Sequence, residues 1–190
     1  IGDSAIAELL THQMTFGQLD ALDARLAEVE GRPVRGGAGS KVDAARMGAY
    51  ALRHHHEAAV FSGPAALQAL LDKTGTPRPD SRQTIKSYVP SHAGTSLTEL
   101  LDLSQRAGMR LVMRRVERPA EIPVPAVVHL KSLHYSTVFD RKDGAYVLRD
   151  AALGGLMTLS EAALADEMTG FVLVPVTSAG IGRDVTATEA

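Results

Sequence analysis

Three residues of this 190-residue chain, Ser62, His134 and Asp150, have types and an order that could do acyl-transfer chemistry. An imidazole serves as a general base, a carboxylate orients it, and a hydroxyl or thiol is the group it activates. His134 and Asp150 lie at two ends of a stretch that reads as paired strands: Tyr135 to Phe139 runs out, Asp140-Arg-Lys-Asp-Gly144 turns, and Ala145 to Leu148 runs back. Antiparallel pairing about that turn carries Asp150 to the neighbourhood of His134. Each residue also has a plainer reading. Ser62 suits the cap of a helix, His134 suits a half-buried histidine in an apolar strand, and Asp150 at a strand end suits the start of a turn.

The elements that must position these groups can be read on either side of them. Phe61-Ser-Gly-Pro-Ala-Ala-Leu-Gln-Ala-Leu-Leu71 is a loop breaking into a helix, with Ser62 at its start and Pro64 in the first turn, where a missing N–H costs nothing. Free amides and the positive end of the helix dipole stabilise an anion there, whether a thiolate or the oxyanion of an acyl-transfer intermediate. The position suits a nucleophile, and here it holds a hydroxyl. Pro125-Ala-Val-Val-His-Leu130 reads as the strand that precedes His134.

Ser62-Gly-Pro-Ala-Ala-Leu, His134-Tyr135, Asp150-Ala151, Leu159-Ser-Glu161 and Thr169-Gly-Phe171 together resemble cysteine peptidase family 39 over about Arg53 to Val176. These are the double-glycine leader peptidases that process bacteriocin precursors on a papain-like fold. The resemblance implies an α+β domain, with N-terminal helices packed on an antiparallel sheet. It also implies a catalytic set of Ser62 at the nucleophile position, His134 as base and Asp150 as its orienting carboxylate. The family's Cys is Ser62 here, its oxyanion Gln falls on His56, a weak substitute donor, and its Asp-Pro is Asp150-Ala151. A hydroxyl titrates far above a thiol, so a site shaped for a thiolate–imidazolium pair is expected to be inactive as this chain is written.

The rest of the chain divides as follows. Residues 1–30 read as a helical N-terminal segment, with Ile6, Leu9, Leu10, Leu19, Leu22, Leu26 and Val29 at three- and four-residue steps. Residues 31–41 are glycine-rich and read as a flexible linker, 42–177 as the peptidase-like domain and 178–190 as a loose tail. Within the domain, Val42 to Arg53 and Ser81 to Tyr88 read as helices. Thr95-Ser-Leu-Thr-Glu99 reads as a capping signal for a helix ending at Gly108, and Met109 to Val116 as a strand. His54-His55-His56 are consecutive and point apart, so they make no facial metal site. Neither metal nor cofactor is expected.

Hydrophobic residues make up 45% of the chain, enough for a substantial core, and the net charge of −2 without a basic run disfavours nucleic acid as a partner. No apolar run approaches the roughly 20 residues of a membrane span. The absence of Cys removes disulfides, and the absence of an initial Met suggests a fragment or processed product.

Two functions follow. One is a papain-like endopeptidase domain caught with Ser62 in place of its nucleophile. The other is a degenerate, non-catalytic domain that binds a peptide or partner segment inside a larger bacterial protein, cytoplasmic or exported with that protein. The bound segment could lie in cis, because Gly36-Gly37 after an amphipathic helix imitates the leader that the family cleaves.

Overall fold

A computed structural model describes residues 2–54, 60–91, 94–150, 155–178, 180–186 and 189. The chain forms two compact units, Ile1–Ala59 and Val60–Ala190.

The first unit holds three helices, α1 (Asp3–Thr15), α2 (Leu19–Glu28) and α3 (Gly36–His54). Residues 3–30 are therefore not one run of helix: Gly17 takes φ 63°, and the chain turns there before α2. Ile6, Leu10, Leu22, Val29, Val42, Ala45 and Ala49 close the core. This burial explains why α3 begins at Gly36, inside the stretch expected to be a linker. Each glycine weakens a helix by about 1 kcal/mol, but packing of the apolar face outweighs propensity. The boundary expected at residue 42 accordingly falls inside α3, and the two units part at Ala59 and Val60.

The second unit opens with three helices, α4 (Ser62–Thr74), α5 (Ser81–Lys86) and α6 (Leu97–Arg106). Ser96 caps α6 as expected: its hydroxyl accepts from Glu99 N–H, and the Glu99 carboxylate accepts from Ser96 N–H at 2.8 Å. That backbone bond, followed by the hydroxyl, holds the Glu99 carboxyl below its usual range. Then come β1 (Leu111–Arg115), a short 3-10 turn (Pro119–Glu121), β2 (Ala126–Leu130), β3 (Tyr135–Lys142), β4 (Ala145–Asp150), β5 (Gly155–Ser160), α7 (Glu161–Glu167), β6 (Met168–Pro175) and β7 (Arg183–Asp184).

The strands form one sheet in the order β5-β4-β3-β2-β6-β1-β7, with every neighbouring pair antiparallel. This is the α+β arrangement expected from the sequence. Within the tail expected to be loose, β7 pairs with β1 through Arg114↔Asp184 and Arg115↔Arg183.

Helix α4 lies on β3. Ala66, Leu67, Leu70 and Leu71 meet Leu97, Leu100 and Leu103 of α6 together with Val127, Tyr135 and Leu173 of the sheet. The β3–β4 hairpin closes through Asp143 and Gly144, with φ of 53° and 78°. Two consecutive positive φ values give a two-residue turn whose twist matches the strands. Asp140, Arg141 and Lys142, expected in the turn, instead pair with Val147, Tyr146 and Ala145.

Candidate active site

Ser62 is the first residue of α4, and Phe61 occupies the cap position. No side-chain cap bond forms at this helix start, so the plain reading of Ser62 as a capping residue does not describe it. Its hydroxyl reaches across the core, accepting a hydrogen bond from Tyr135 N–H at 3.3 Å, and Ser62 is 2% exposed. Residues 62 and 135 are distant in sequence, and the contact joins the start of α4 to the start of β3.

Three further interactions fix that junction. Gly63 lies so close to its neighbours that an added Cβ would stand 3.2 Å from Leu100 and 3.3 Å from both Thr95 and Tyr135. Thr137 Oγ1 donates to Ala66 O at 2.8 Å, and Tyr135 Oη donates to Thr95 O at 2.9 Å. Burial, more than the nearby Glu99 charge, raises the Tyr135 phenol far above its usual range and keeps it a neutral donor. In any α-helix the first amides find no acceptor within the helix. At α4 these belong to Ser62 and Gly63, because Pro64 has no N–H and Ala65 donates to Phe61 O at 3.1 Å. Such a helix start favours negative charge at the Ser62 side chain.

His134 immediately precedes Tyr135, so it stands at the same junction. It closes the tight connection from β2, its carbonyl accepting from Leu130 N–H at 2.8 Å, and it is 9% exposed. Leu133 beside it takes φ 59°, which is uncommon for a branched residue.

Asp150 is the last residue of β4, one step beyond Arg149, which pairs with Thr137. The hairpin register thus returns the chain at Asp150 to the end of β3 at which His134 lies. Nothing is described of the Asp150 side chain. His56, the oxyanion candidate, and Ala151 lie outside the described residues.

Sequence reasoning named His129 only as part of a strand, but it also belongs to this neighbourhood. It pairs with Tyr135 across β2 and β3, and the two rings lie 4.8 Å apart. Its Nδ1 is 3.1 Å from Thr169 Oγ1. Burial, and then the nearby His134, push the His129 imidazole below its ordinary pKa. Among the described residues, no group of three or more His, Cys, Asp or Glu could hold a metal ion. The described residues also contain no helix long and apolar enough to cross a membrane.

Comparison with known proteins gives a fold. No family model and no curated protein matches the sequence. Among solved structures, a double glycine motif protease from an AMS/PCAT transporter, in complex with its leader peptide, is 19% identical with a TM-score of 0.53. The likeness covers 61% of this chain and 84% of that one. The N-terminal peptidase C39-like domain of the toxin secretion ATP-binding protein from Vibrio parahaemolyticus is 14% identical, with a TM-score of 0.46, covering 60% of this chain and 93% of that one. The peptidase domain of Streptococcus mutans ComA is 18% identical, with a TM-score of 0.43, covering 60% and 88%. With the start of a helix pinned on the third strand of an antiparallel sheet, and the likeness covering 61% of the chain, this protein has the fold of that double glycine motif protease.

Proposed function

We propose that the second unit is a papain-like cysteine-endopeptidase domain of the double-glycine type, with Ser62 at the nucleophile position and no turnover as the chain stands. One observation carries the reading: the Ser62 hydroxyl, at the start of α4, bonds the backbone of the residue that follows His134.

With a thiol at this position the chemistry is direct. The helix start and a protonated His134 stabilise the thiolate, which attacks a peptide carbonyl. Backbone amides at the helix start meet the developing oxyanion. His134 then protonates the leaving amine and afterwards accepts a proton from the water that attacks the thioester, with Asp150 orienting its ring. A serine hydroxyl titrates far above a thiol and forms no such ion pair with His134, so a site shaped for a thiolate–imidazolium pair is expected to leave the existing side chain unreactive.

The same Ser62 supports a second reading, a domain that binds an extended peptide or partner segment within a larger bacterial protein without cutting it. A structural neighbour holds a leader peptide, which makes an extended peptide the natural occupant for either reading. Supply in cis from Gly36-Gly37 would require unwinding the first turn of α3, where both glycines lie.

Ser62→Cys decides between the two. Incubated with peptides containing a double-glycine site and followed by intact mass, the variant is expected to cleave after the glycines and to lose that activity with His134→Ala. Binding of those peptides without cleavage would overturn the peptidase reading in favour of the binding domain.

A further inference from the structure

The register between β2 and β6 breaks at His129. Val128 faces Val172 and Leu130 faces Met168, leaving His129 opposite the stretch 169–171. Gly170 takes φ 91° in this bulge, where an added Cβ would stand 2.7 Å from Val116 O. A bulge of this kind re-aims a side chain and leaves ladder groups without their regular partners.

Thr169 fills the gap. Its hydroxyl donates to His129 O at 3.1 Å, accepts from Phe171 N–H at 3.3 Å and lies 3.1 Å from His129 Nδ1. A hydroxyl has one proton and two acceptor sites. With the proton given to His129 O and one site taken by Phe171, the second site must receive Nδ1 as an N–H. Valence therefore places a proton on His129 Nδ1, and burial, which disfavours the charged ring, leaves that as the tautomer held at both its ring and its carbonyl.

On its other side the ring rests against Tyr135, whose N–H bonds Ser62 and whose preceding residue is His134. We infer that His129 is a positioning residue for the site: anchored by Thr169 in the bulge, it braces Tyr135 and so sets where His134 stands against Ser62. The inference rests on the reading of Ser62 and His134 as site positions, and it gives the Thr169-Gly170-Phe171 bulge a purpose beyond sheet closure.

The test uses conservative pairs at Thr169. In Ser62→Cys, Thr169→Val is expected to lower the alkylation rate of the introduced thiol at neutral pH about tenfold, the effect of one pKa unit on thiolate fraction. Thr169→Ser, which keeps the hydroxyl, retains the parent rate. A purely structural role would lower the melting temperature of the Val variant while leaving the thiol of the folded protein unchanged, and that result overturns the inference.

Histidine 15N spectra of the unaltered protein supply a second measurement. They are expected to show His129 protonated on Nδ1 only at pH 7, whereas an Nε2-protonated ring would contradict the anchor. Should Ser62→Cys display an ordinary thiol, the peptidase reading fails separately. The His134 titration in the Ser62 protein then still decides: a midpoint that differs between Thr169→Val and Thr169→Ser supports positioning, and an identical one refutes it.

Discussion

The two ends of α4 are built differently. At its start, Ser62, Gly63 and Pro64 are buried, the Ser62 hydroxyl and the Ala66 carbonyl are tied to Tyr135 and Thr137 of β3, and Gly63 admits close packing. At its end, Asp72, Lys73 and Thr74 are exposed, and the helix satisfies itself: Thr74 Oγ1 donates to Leu70 O, and Gly75 N–H donates to Leu71 O, both at 2.9 Å. An open hollow of about 440 Å³ borders that end, lined in part by Thr74, Gly75, Pro77 and Met109. One helix thus joins a buried start tied to the backbone of the sheet to an exposed end held by surface contacts, Asp72 with Arg82 and Arg149 and Lys73 with the Phe139 ring. A chemical group at the start is positioned by the sheet, which is what an active-site nucleophile requires.

Substitutions along α4 and its partners test that contrast. Gly63→Val should have the largest effect, about 3 kcal/mol of lost stability, because its methyls enter space where even a Cβ is tight against three side chains. Thr137→Val should cost about 1–2 kcal/mol by leaving the buried Ala66 carbonyl without this donor. At the other end, Lys73→Ala should cost about 0.5 kcal/mol, the worth of an exposed ammonium 4.8 Å from the Phe139 ring centre. Urea denaturation of the three variants ranks them. If Lys73→Ala were as damaging as Thr137→Val, the two ends would not differ as described.

A smaller, pH-dependent effect concerns His129. Its folded pKa is depressed, so below about pH 6.5, the ordinary value, the unfolded chain takes up a proton that the folded chain resists. Stability should fall as the pH drops through that region and be insensitive to this group above it. His129→Gln should flatten that part of the curve. An unchanged slope in urea midpoints between pH 7 and pH 5 would show that the imidazole is not held neutral by its surroundings.

The hairpin that brings Asp150 back towards His134 was legible because its signals are local: alternating β-branched and aromatic residues and an Asp-Gly pair. The Ser96–Glu99 cap was legible for the same reason. The turn was drawn too wide because Asp140, Arg141 and Lys142 look like turn residues, although they serve as exposed strand positions. What stayed hidden depends on tertiary contact. Gly36 to Lys41 reads as linker until the buried face of α3 is known, and Ser62 reads as a cap until its hydroxyl is seen on Tyr135. The His129–Thr169 pairing, forty residues apart, leaves no local pattern, because a bulge follows from sheet register rather than from composition.

The pH dependence of alkylation of the thiol introduced by Ser62→Cys, measured with and without His134→Ala, tests the central claim most directly. The account predicts a pKa well below the ordinary value of about 8.5, returning towards it when His134 is removed. A thiol of ordinary pKa, indifferent to His134, would contradict it.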